Sequence, residues 1–247
     1  MHEQQDVAIE RDLGVQKEFW NDYFADTPEN ARPNPSREGR HQLAEQLLVS
    51  LKLSKPKILE VGCGTGWLSA ALARHGQVTG VDLADQVLAR ARALHPRVDF
   101  IAGDFLTLAL PVQHFDLVVS VDAISYFDDL QLFSERIASA LKSSGYLILM
   151  CPHRFVWNRT DFVRRSHGEI PLNWLNMWEL KKLLRKQFSV LHAETIMPDG
   201  HLGVLRLINS YRLNRLIQKI VPEPSVVRFK EWIGLGKTLV VVAQKRV

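Results

Sequence analysis

Two kinds of hydrophobic pattern alternate along the middle of the chain. Short, nearly continuous apolar runs predict buried strands, and apolar residues spaced three or four positions apart predict amphipathic helices between them. The predicted strands are Lys57–Val61, Gln77–Val81, Val98–Ala102, Phe115–Val121 and Tyr146–Cys151. Strands that alternate with helices indicate an α/β fold with a doubly wound, mostly parallel sheet.

The same reasoning predicts elements on both sides of this region. One helical face before it is aromatic, with Phe19, Trp20, Tyr23 and Phe24, and a second helix is expected from Ser36 to about Leu51. The other predicted elements are helices over Leu83–Ala93, Leu130–Leu141, Leu172–Gln187 and Leu205–Ile220, and strands over Phe188–Ile196 and Lys237–Ala243. The helix from Leu130 is expected to stop before Ser143-Ser144-Gly145.

A glycine-rich turn follows the first predicted strand directly. Gly62, Gly64 and Gly66 lie between that strand and a helical pattern, so backbone N–H groups can approach a ligand without obstruction from Cβ atoms. The next strand ends at Asp82, where a carboxylate can accept hydrogen bonds from two ribose hydroxyls. The arrangement predicts a site for a cofactor that contains a nucleoside.

The glycine spacing distinguishes between two classes of cofactor. Nicotinamide enzymes favour G-x-G-x-x-G, whereas this turn reads G-x-G-x-G with an acid, Glu60, before it. A carboxylate there suits a ligand that carries an ammonium group better than it suits a pyrophosphate. Residues 59–66 resemble the first motif of the class I S-adenosylmethionine-dependent methyltransferases, and the resemblance extends over roughly residues 55 to 152.

This resemblance implies a fold, a cofactor and a set of binding residues. The fold is a Rossmann-like sheet of seven strands whose last strand runs antiparallel between the fifth and the sixth, with helical cap insertions. The cofactor is S-adenosylmethionine: Asp82 binds its ribose, Asp104 accepts from its adenine amino group, and Tyr23 approaches from an N-terminal lid. The remaining binding residues are expected to be Glu60, Gly62, Cys63, Gly64, Gly66, Leu83, Gly103, Phe105 and Val121.

Methyl transfer to oxygen also needs an aligned acceptor and a group that takes its proton. The candidate residues are Asp122, Tyr126 and His153, which follow the fourth and fifth predicted strands. His41 falls inside a predicted helix and is interpreted as structural. The fourth strand is not followed by the Asn/Asp-Pro-Pro-Tyr/Phe sequence of enzymes that methylate base or amide nitrogen, so a DNA or protein-amide acceptor is not expected.

Charge is distributed unevenly along the chain. The net charge of +4 combines an acidic first part with a basic remainder, because residues 151–247 contain 17 Lys and Arg but only 7 Asp and Glu. Arg212, Arg215 and Lys219 form a basic helical stripe. This asymmetry favours a small or lipid-linked acceptor that is anionic, or a peripheral contact with a membrane surface. No nucleic-acid partner and no metal ion are predicted.

We therefore predict three segments. Residues 1–54 form an N-terminal helical segment or lid, residues 55–152 a cofactor-binding Rossmann-like half, and residues 153–247 an acceptor-side half with cap insertions and the last two strands. Only two cysteines and no recognisable signal peptide indicate the reducing cytoplasm. Two alternatives stay open: a non-catalytic cofactor-binding regulator or partner subunit, and a nicotinamide-dependent oxidoreductase. The oligomeric state cannot be derived from the sequence.

Overall fold

The structure is a computed structural model that describes residues 12–25, 35–160 and 172–247. Among the described residues, two helices precede the first strand, α1 (Leu13–Ala25) and α2 (Pro35–Ser50). The later helices are α3 (Trp67–Leu72), α4 (Asp85–Leu94), α5 (Leu130–Ala140), α6 (Arg154–Trp157), α7 (Met177–Leu184), α8 (Val204–Ile208), α9 (Tyr211–Ile217) and α10 (Glu223–Trp232). A 3₁₀ turn spans Ile124–Tyr126.

Seven strands form one sheet in the order β3-β2-β1-β4-β5-β7-β6. They are β1 (Lys57–Val61), β2 (Gln77–Asp82), β3 (Asp99–Ala102), β4 (Phe115–Val121), β5 (Leu141–Pro152), β6 (Phe188–Pro198) and β7 (Gly236–Lys245). The first five pair in parallel, and β7 lies antiparallel between β5 and β6. The predicted fold class is confirmed. The predicted division into three segments stays a prediction.

The core consists of two apolar layers, one on each face of the sheet. Successive residues of β1 point to opposite faces, so Ile58 packs in one cluster while Leu59 packs in the other. Both side chains are fully buried because helices cover both faces. This double burial is the physical reason that the strands read as continuous apolar runs rather than as alternating ones.

The junction between α5 and β5 differs from the prediction. The helix ends at Ala140 and the next residue already pairs in the sheet, with Leu141 opposite Phe115. Leu141 is fully buried and its backbone is extended, so tertiary burial overrides the local stop signal at Ser143–Gly145. The strand irregularity near this point accommodates Ser144 at a positive φ of 60°.

Two helices predicted in the C-terminal part are also different. The helix expected from Leu172 begins at Met177, where the Glu179 side chain accepts from the Asn176 N–H at 2.8 Å and caps the first turn. The helix expected over Leu205–Ile220 is broken after Ile208, because the Ser210 hydroxyl accepts from the Leu213 N–H and starts a new helix. No helix in the described part of the chain is both long and apolar enough to cross a membrane.

Candidate active site

Two cavities open at the carboxyl ends of β1, β2 and β4, and together they contain most of the predicted site residues. The larger has a volume of about 430 Å³, and the smaller, of about 50 Å³, shares Gly62, Asp82, Ala123 and Tyr126 with it. Of the predicted residues, the larger cavity is lined by Tyr23, Glu60, Gly62, Cys63, Gly64, Asp82, Val121, Asp122 and Tyr126. Such a position is the usual ligand site in open parallel sheets.

The glycine turn has a backbone that side chains would not tolerate. Gly62, Gly64 and Gly66 have φ values of 78°, 50° and 79°, in the left-handed region. A Cβ atom on Gly62 would lie only 2.3 Å from the Cβ of Ala123. The Gly62 N–H donates to the Val81 carbonyl at 2.8 Å, which holds the turn against β2. The turn therefore brings bare backbone to the wall of the cavity.

Asp82 is held at the end of β2 by the backbone around it. Its Oδ2 accepts from the Gly64 N–H at 2.8 Å, and its Oδ1 accepts from the Ala84 N–H at 2.9 Å. Burial raises the pKa of Asp82, and these hydrogen bonds oppose that rise. Both carboxylate oxygens are thereby fixed at the junction of the two cavities, where they retain lone pairs for a ligand's hydroxyl groups.

Glu60 is a buried acid beneath the same turn. Its side chain is 3% exposed and accepts a short hydrogen bond from the Ser69 hydroxyl. Burial, together with the neighbouring Asp82, raises the pKa of Glu60 to about 8, and the hydrogen bonds from Ser69 oppose this rise. The carboxyl is therefore largely protonated at neutral pH. A cation bound in the cavity would favour its ionised form.

The smaller cavity collects the residues predicted to surround an adenine ring. Its wall includes Leu83, Gly103, Asp104 and Phe105, which come from the ends of β2 and β3. Gln16 of α1 also lines it, a residue that the sequence analysis did not single out. Gln16 is buried although it is polar, because α1 packs over this corner of the sheet.

Helix α2 contributes a polar face to the larger cavity, formed by Arg37, Arg40 and His41. Arg40 Nη2 lies 2.6 Å from Asp122 Oδ2, while its Nη1 donates to the Ser36 hydroxyl at 3.0 Å. The Nε of Arg40 is buried and has no hydrogen-bond partner. This donor is available to a water molecule or to an acceptor group of a ligand.

Comparison with known proteins bears directly on this geometry. A family model described as "Methyltransferase domain" matches residues 59–149. The chain is 33% identical over 122 residues to a probable S-adenosylmethionine-dependent methyltransferase of Mycobacterium tuberculosis, covering 48% of this chain and 43% of that protein. It is also 33% identical over 113 residues to the malonyl-[acyl-carrier protein] O-methyltransferase of Priestia megaterium, covering 44% and 41%.

A solved structure with the same fold carries the product of the predicted cofactor. The N-methyltransferase NodS of Bradyrhizobium japonicum, in complex with S-adenosyl-L-homocysteine, superposes with a TM-score of 0.63 at 16% identity, covering 93% of this chain and 97% of that one. Residues 59–149 therefore form a methyltransferase domain, and the chain is similar to S-adenosylmethionine-dependent methyltransferases. The chain spans less than half the length of the two curated relatives.

Two predicted site residues, His153 and Gly66, do not line either cavity. His153 is buried, donates from Nδ1 to the Gly236 carbonyl at 3.1 Å, and is absent from the lining of either cavity. Burial lowers the pKa of its imidazole. Gly66 also lies behind the cavity wall, where a Cβ would meet the Phe100 ring at 2.6 Å.

Tyr126 lines both cavities of the methyltransferase domain and packs edge-on against Trp20 at a centroid distance of 4.9 Å. Burial, with the Asp122 charge beside it, raises the pKa of the phenol well above its ordinary value. The hydroxyl therefore stays protonated at neutral pH. Among the predicted catalytic residues, Asp122 and Tyr126 are brought together at the cavity and His153 is not.

Several residues that line the larger cavity were not predicted from the sequence. His41 was interpreted as structural, but it lies in the wall beside Arg37 and Arg40. The i, i+3, i+4 spacing of Arg37, Arg40 and His41 indicates a shared helical face and could have revealed them. Trp157 and Trp174 line the opposite end, with ring centroids 5.8 Å apart. No pattern in the sequence connects these two residues, because only the tertiary fold brings them together.

The expected helical cap contributes less to the larger cavity than predicted. Its acceptor-side wall comes from Pro152, Trp157, Leu172, Trp174, Lys237 and Thr238, and no described residue of 201–236 lines it. Part of the predicted cap, residues 161–171, lies outside the described residues. Across the described ranges, no group of three His, Cys, Asp or Glu is arranged to hold a metal ion. The absence of a metal stays a prediction.

Proposed function

We propose that this chain transfers a methyl group from S-adenosylmethionine to an oxygen atom of a small or lipid-linked acceptor. The observation that carries the proposal is the continuous cavity, which runs from the glycine turn and Asp82 to a tryptophan-lined end. Groups that can accept a proton, His41 and Asp122, lie between these ends. The name of the Priestia megaterium relative, an O-methyltransferase, supports oxygen as the methylated atom.

The residues of the site fit the cofactor. Asp82 offers fixed acceptors for ribose hydroxyls, Glu60 offers a carboxylate for an ammonium group, and the unpartnered Nε of Arg40 offers a donor for a carboxylate. When bound, S-adenosylmethionine supplies a methyl group activated by its sulfonium. The protein's own task is then to position the acceptor hydroxyl, exclude water and take up a proton.

His41 is the better placed of the two proton acceptors. Burial, with Arg37 and Arg40 beside it, lowers the pKa of His41 to about 4, so its imidazole is neutral at physiological pH and has a free lone pair, although it is a weaker base than an ordinary histidine. The Asp122 carboxylate is already engaged by Arg40 at 2.6 Å. We therefore assign proton uptake to His41, and assign to Asp122 and Tyr126 the positioning of the acceptor.

The wall opposite the glycine turn favours an acceptor with a planar or apolar body. Trp157 donates from Nε1 to the Lys237 carbonyl at 2.8 Å, which fixes one indole ring beside the other at Trp174. The Lys237 ammonium, paired with Asp199 at 3.1 Å, adds a cation at this end. Phenols, hydroquinones and carboxylic acids with an apolar body combine these properties, and they are the acceptor classes that we propose.

A labelled transfer assay tests the proposal. The protein is incubated with S-adenosylmethionine that carries a deuterated methyl group and with a panel of phenols, hydroquinones and carboxylic acids, and methylated products are measured by mass spectrometry. His41→Gln should lower kcat by roughly a hundredfold or more while leaving cofactor affinity unchanged. His192→Gln, on exposed β6, is the matched control and should be without effect.

The same assay distinguishes the alternatives. Tight cofactor binding without transfer to any class of acceptor would favour a non-catalytic regulator or partner subunit. Calorimetric binding of a nicotinamide dinucleotide, with no binding of S-adenosylmethionine, would instead favour an oxidoreductase. The cytoplasmic location and the absence of a nucleic-acid partner stay predictions.

A further inference from the structure

The helices between β6 and β7 expose an unusual amount of apolar surface. Twelve of the 22 large apolar side chains that are exposed in the described residues lie in the segment 202–233. Ile220 and Trp232 are 88% and 82% exposed, and α9 has no buried residue at all. An isolated exposed apolar residue needs no explanation, whereas a concentration of them marks an interaction surface.

This segment is nevertheless fixed to the rest of the protein. The Lys230 ammonium donates to the side-chain oxygens of Asn209 and Asn214 at 3.0 and 2.9 Å, which ties α10 to α8 and α9. Glu231 accepts from the Met197 N–H at 2.9 Å, and so fixes α10 to β6. The exposed side chains therefore belong to an ordered surface.

The exposed apolar residues of α9 form a ridge. Leu213, Leu216 and Ile220 follow an i, i+3, i+7 spacing, which places them within about 60° of one another around a helix of 3.6 residues per turn. Helical hydrogen bonds continue past the end of α9 as far as Val221, so Ile220 stays on this face. We call these three side chains the α9 ridge.

Cations flank the α9 ridge. Arg212, Arg215 and Lys219 each precede a ridge residue by one position and form a parallel stripe of exposed positive charge. No carboxylate in the described part of the chain lies within ion-pair distance of these three. Residues 201–236 contain six Lys and Arg against two Glu, so the surplus is local.

We propose that the α9 ridge and its basic flank dock on the surface of an anionic lipid bilayer. Apolar side chains beside unpaired cations are the composition of helices that lie in the interface of such membranes. A second copy of the chain is the competing occupant. A symmetric dimer through this ridge would bring the cations of both copies together, which is unfavourable. The proposal does not depend on methyl transfer.

Vesicle sedimentation tests the proposal with the full chain. Vesicles of phosphatidylcholine are compared with vesicles that also contain phosphatidylglycerol, and we expect binding only to the latter. The variant R212Q/R215Q/K219Q should lower the partition coefficient by about a hundredfold, because each cation contributes roughly a fivefold factor near an anionic surface. The variant L213S/L216S/I220S should lower it by at least about tenfold.

A matched control variant is available in the same chain. L94S/V112S/L191S removes three exposed apolar side chains outside the segment, and it should bind vesicles like the wild type. Unchanged affinity for S-adenosylhomocysteine verifies that each variant is folded. Equal binding to both kinds of vesicle, or an equal loss in the control variant, would overturn the proposal. So would a dimer that the ridge variant dissociates, with no binding to vesicles.

Discussion

The cofactor half and the segment between β6 and β7 use their apolar and charged residues in opposite ways. In the cofactor half, apolar side chains are buried and acids such as Glu60 and Asp82 are turned inward to a cavity. In the segment 202–233, many apolar side chains face solvent, and the cations of α9 and the turn after it have no ion-pair partner among the described residues. The choice of residues in the first region is therefore limited by packing inside the protein. In the second region it would be limited by the molecule or surface that this segment contacts.

This difference predicts which substitutions should lower the stability of the protein. A residue packed on all sides loses contacts when it is changed, whereas an exposed residue of an ordered surface loses almost none. Substitutions in the cofactor half should lower both the unfolding free energy and the affinity for the cofactor. Substitutions of exposed residues in the segment 202–233 should change only its binding to a partner surface. Four predictions test this comparison, from the largest expected effect to the smallest.

A methyl group added at the glycine turn should produce the largest effect. Gly62→Ala combines a φ of 78° with a Cβ that would lie 2.3 Å from Ala123, so we expect a loss of about 2–5 kcal/mol in unfolding free energy. Gly234→Ala is the control, because its φ of 84° is similar but no atom lies within 4 Å of the added Cβ. Its cost should be only about 1–2 kcal/mol by urea denaturation. Equal costs would contradict this account.

Loss of the carboxylate at the end of β2 should weaken cofactor binding strongly. Asp82→Ala removes acceptors for ribose hydroxyls and leaves the N–H groups of Gly64 and Ala84 without their partner. We expect S-adenosylhomocysteine affinity to fall ten- to hundredfold, measured by calorimetry. Glu223→Ala, an exposed acid of α10, should leave that affinity unchanged. If Asp82→Ala bound the ligand normally, the assignment of the ribose site would be wrong.

Glu60 should make both stability and cofactor binding depend on pH. The folded-state pKa of Glu60, about 8, is above the ordinary carboxyl value of the unfolded chain. Between these two values the folded protein holds a proton on Glu60 that the unfolded chain has lost, so the unfolding free energy falls as pH rises towards 8. The slope should be at most about 1.4 kcal/mol per pH unit. A cofactor ammonium favours the ionised form, so affinity should rise over the same range with release of a proton.

Glu60→Gln isolates this effect. The amide oxygen can still accept from the Ser69 hydroxyl, so the fold is kept while the titration disappears. Calorimetry in buffers of different ionisation enthalpy should detect proton release in the wild type and none in the variant. Proton release that persisted in the variant would assign the titration to another group.

The smallest effect is expected on the exposed ridge. Ile220→Ser should change the unfolding free energy by no more than about 0.5 kcal/mol, because the side chain is 88% exposed. The matched change Ile58→Ser in fully buried β1 should be severely destabilising. Thermal melting of both variants gives the contrast directly. A large loss at Ile220 would mean that the ridge is part of the core.

Local chemistry made the central part of the fold predictable. The bounds of β1 and β4 agree with the predicted strands residue by residue, since an uninterrupted apolar run has few other ways to be buried. The glycine turn and Asp82 could also be predicted from the sequence. Left-handed backbone favours glycine, and Asp82 stands at the end of a predicted strand. The roles proposed for the binding residues stay predictions, although the structure brings most of them to one pair of cavities.

The order of strands and helices along the chain and the position of the cofactor turn could be predicted from the sequence, because periodicity and backbone conformation are local properties. Only the tertiary structure decided that His153 is buried against Gly236 and that His41 faces the cavity with Arg40. It also decided that the apolar residues of α9 are left exposed. The burial of His153 and the exposure of α9 depend on contacts between residues far apart in the chain. A helical pattern predicts an apolar face but not what covers it.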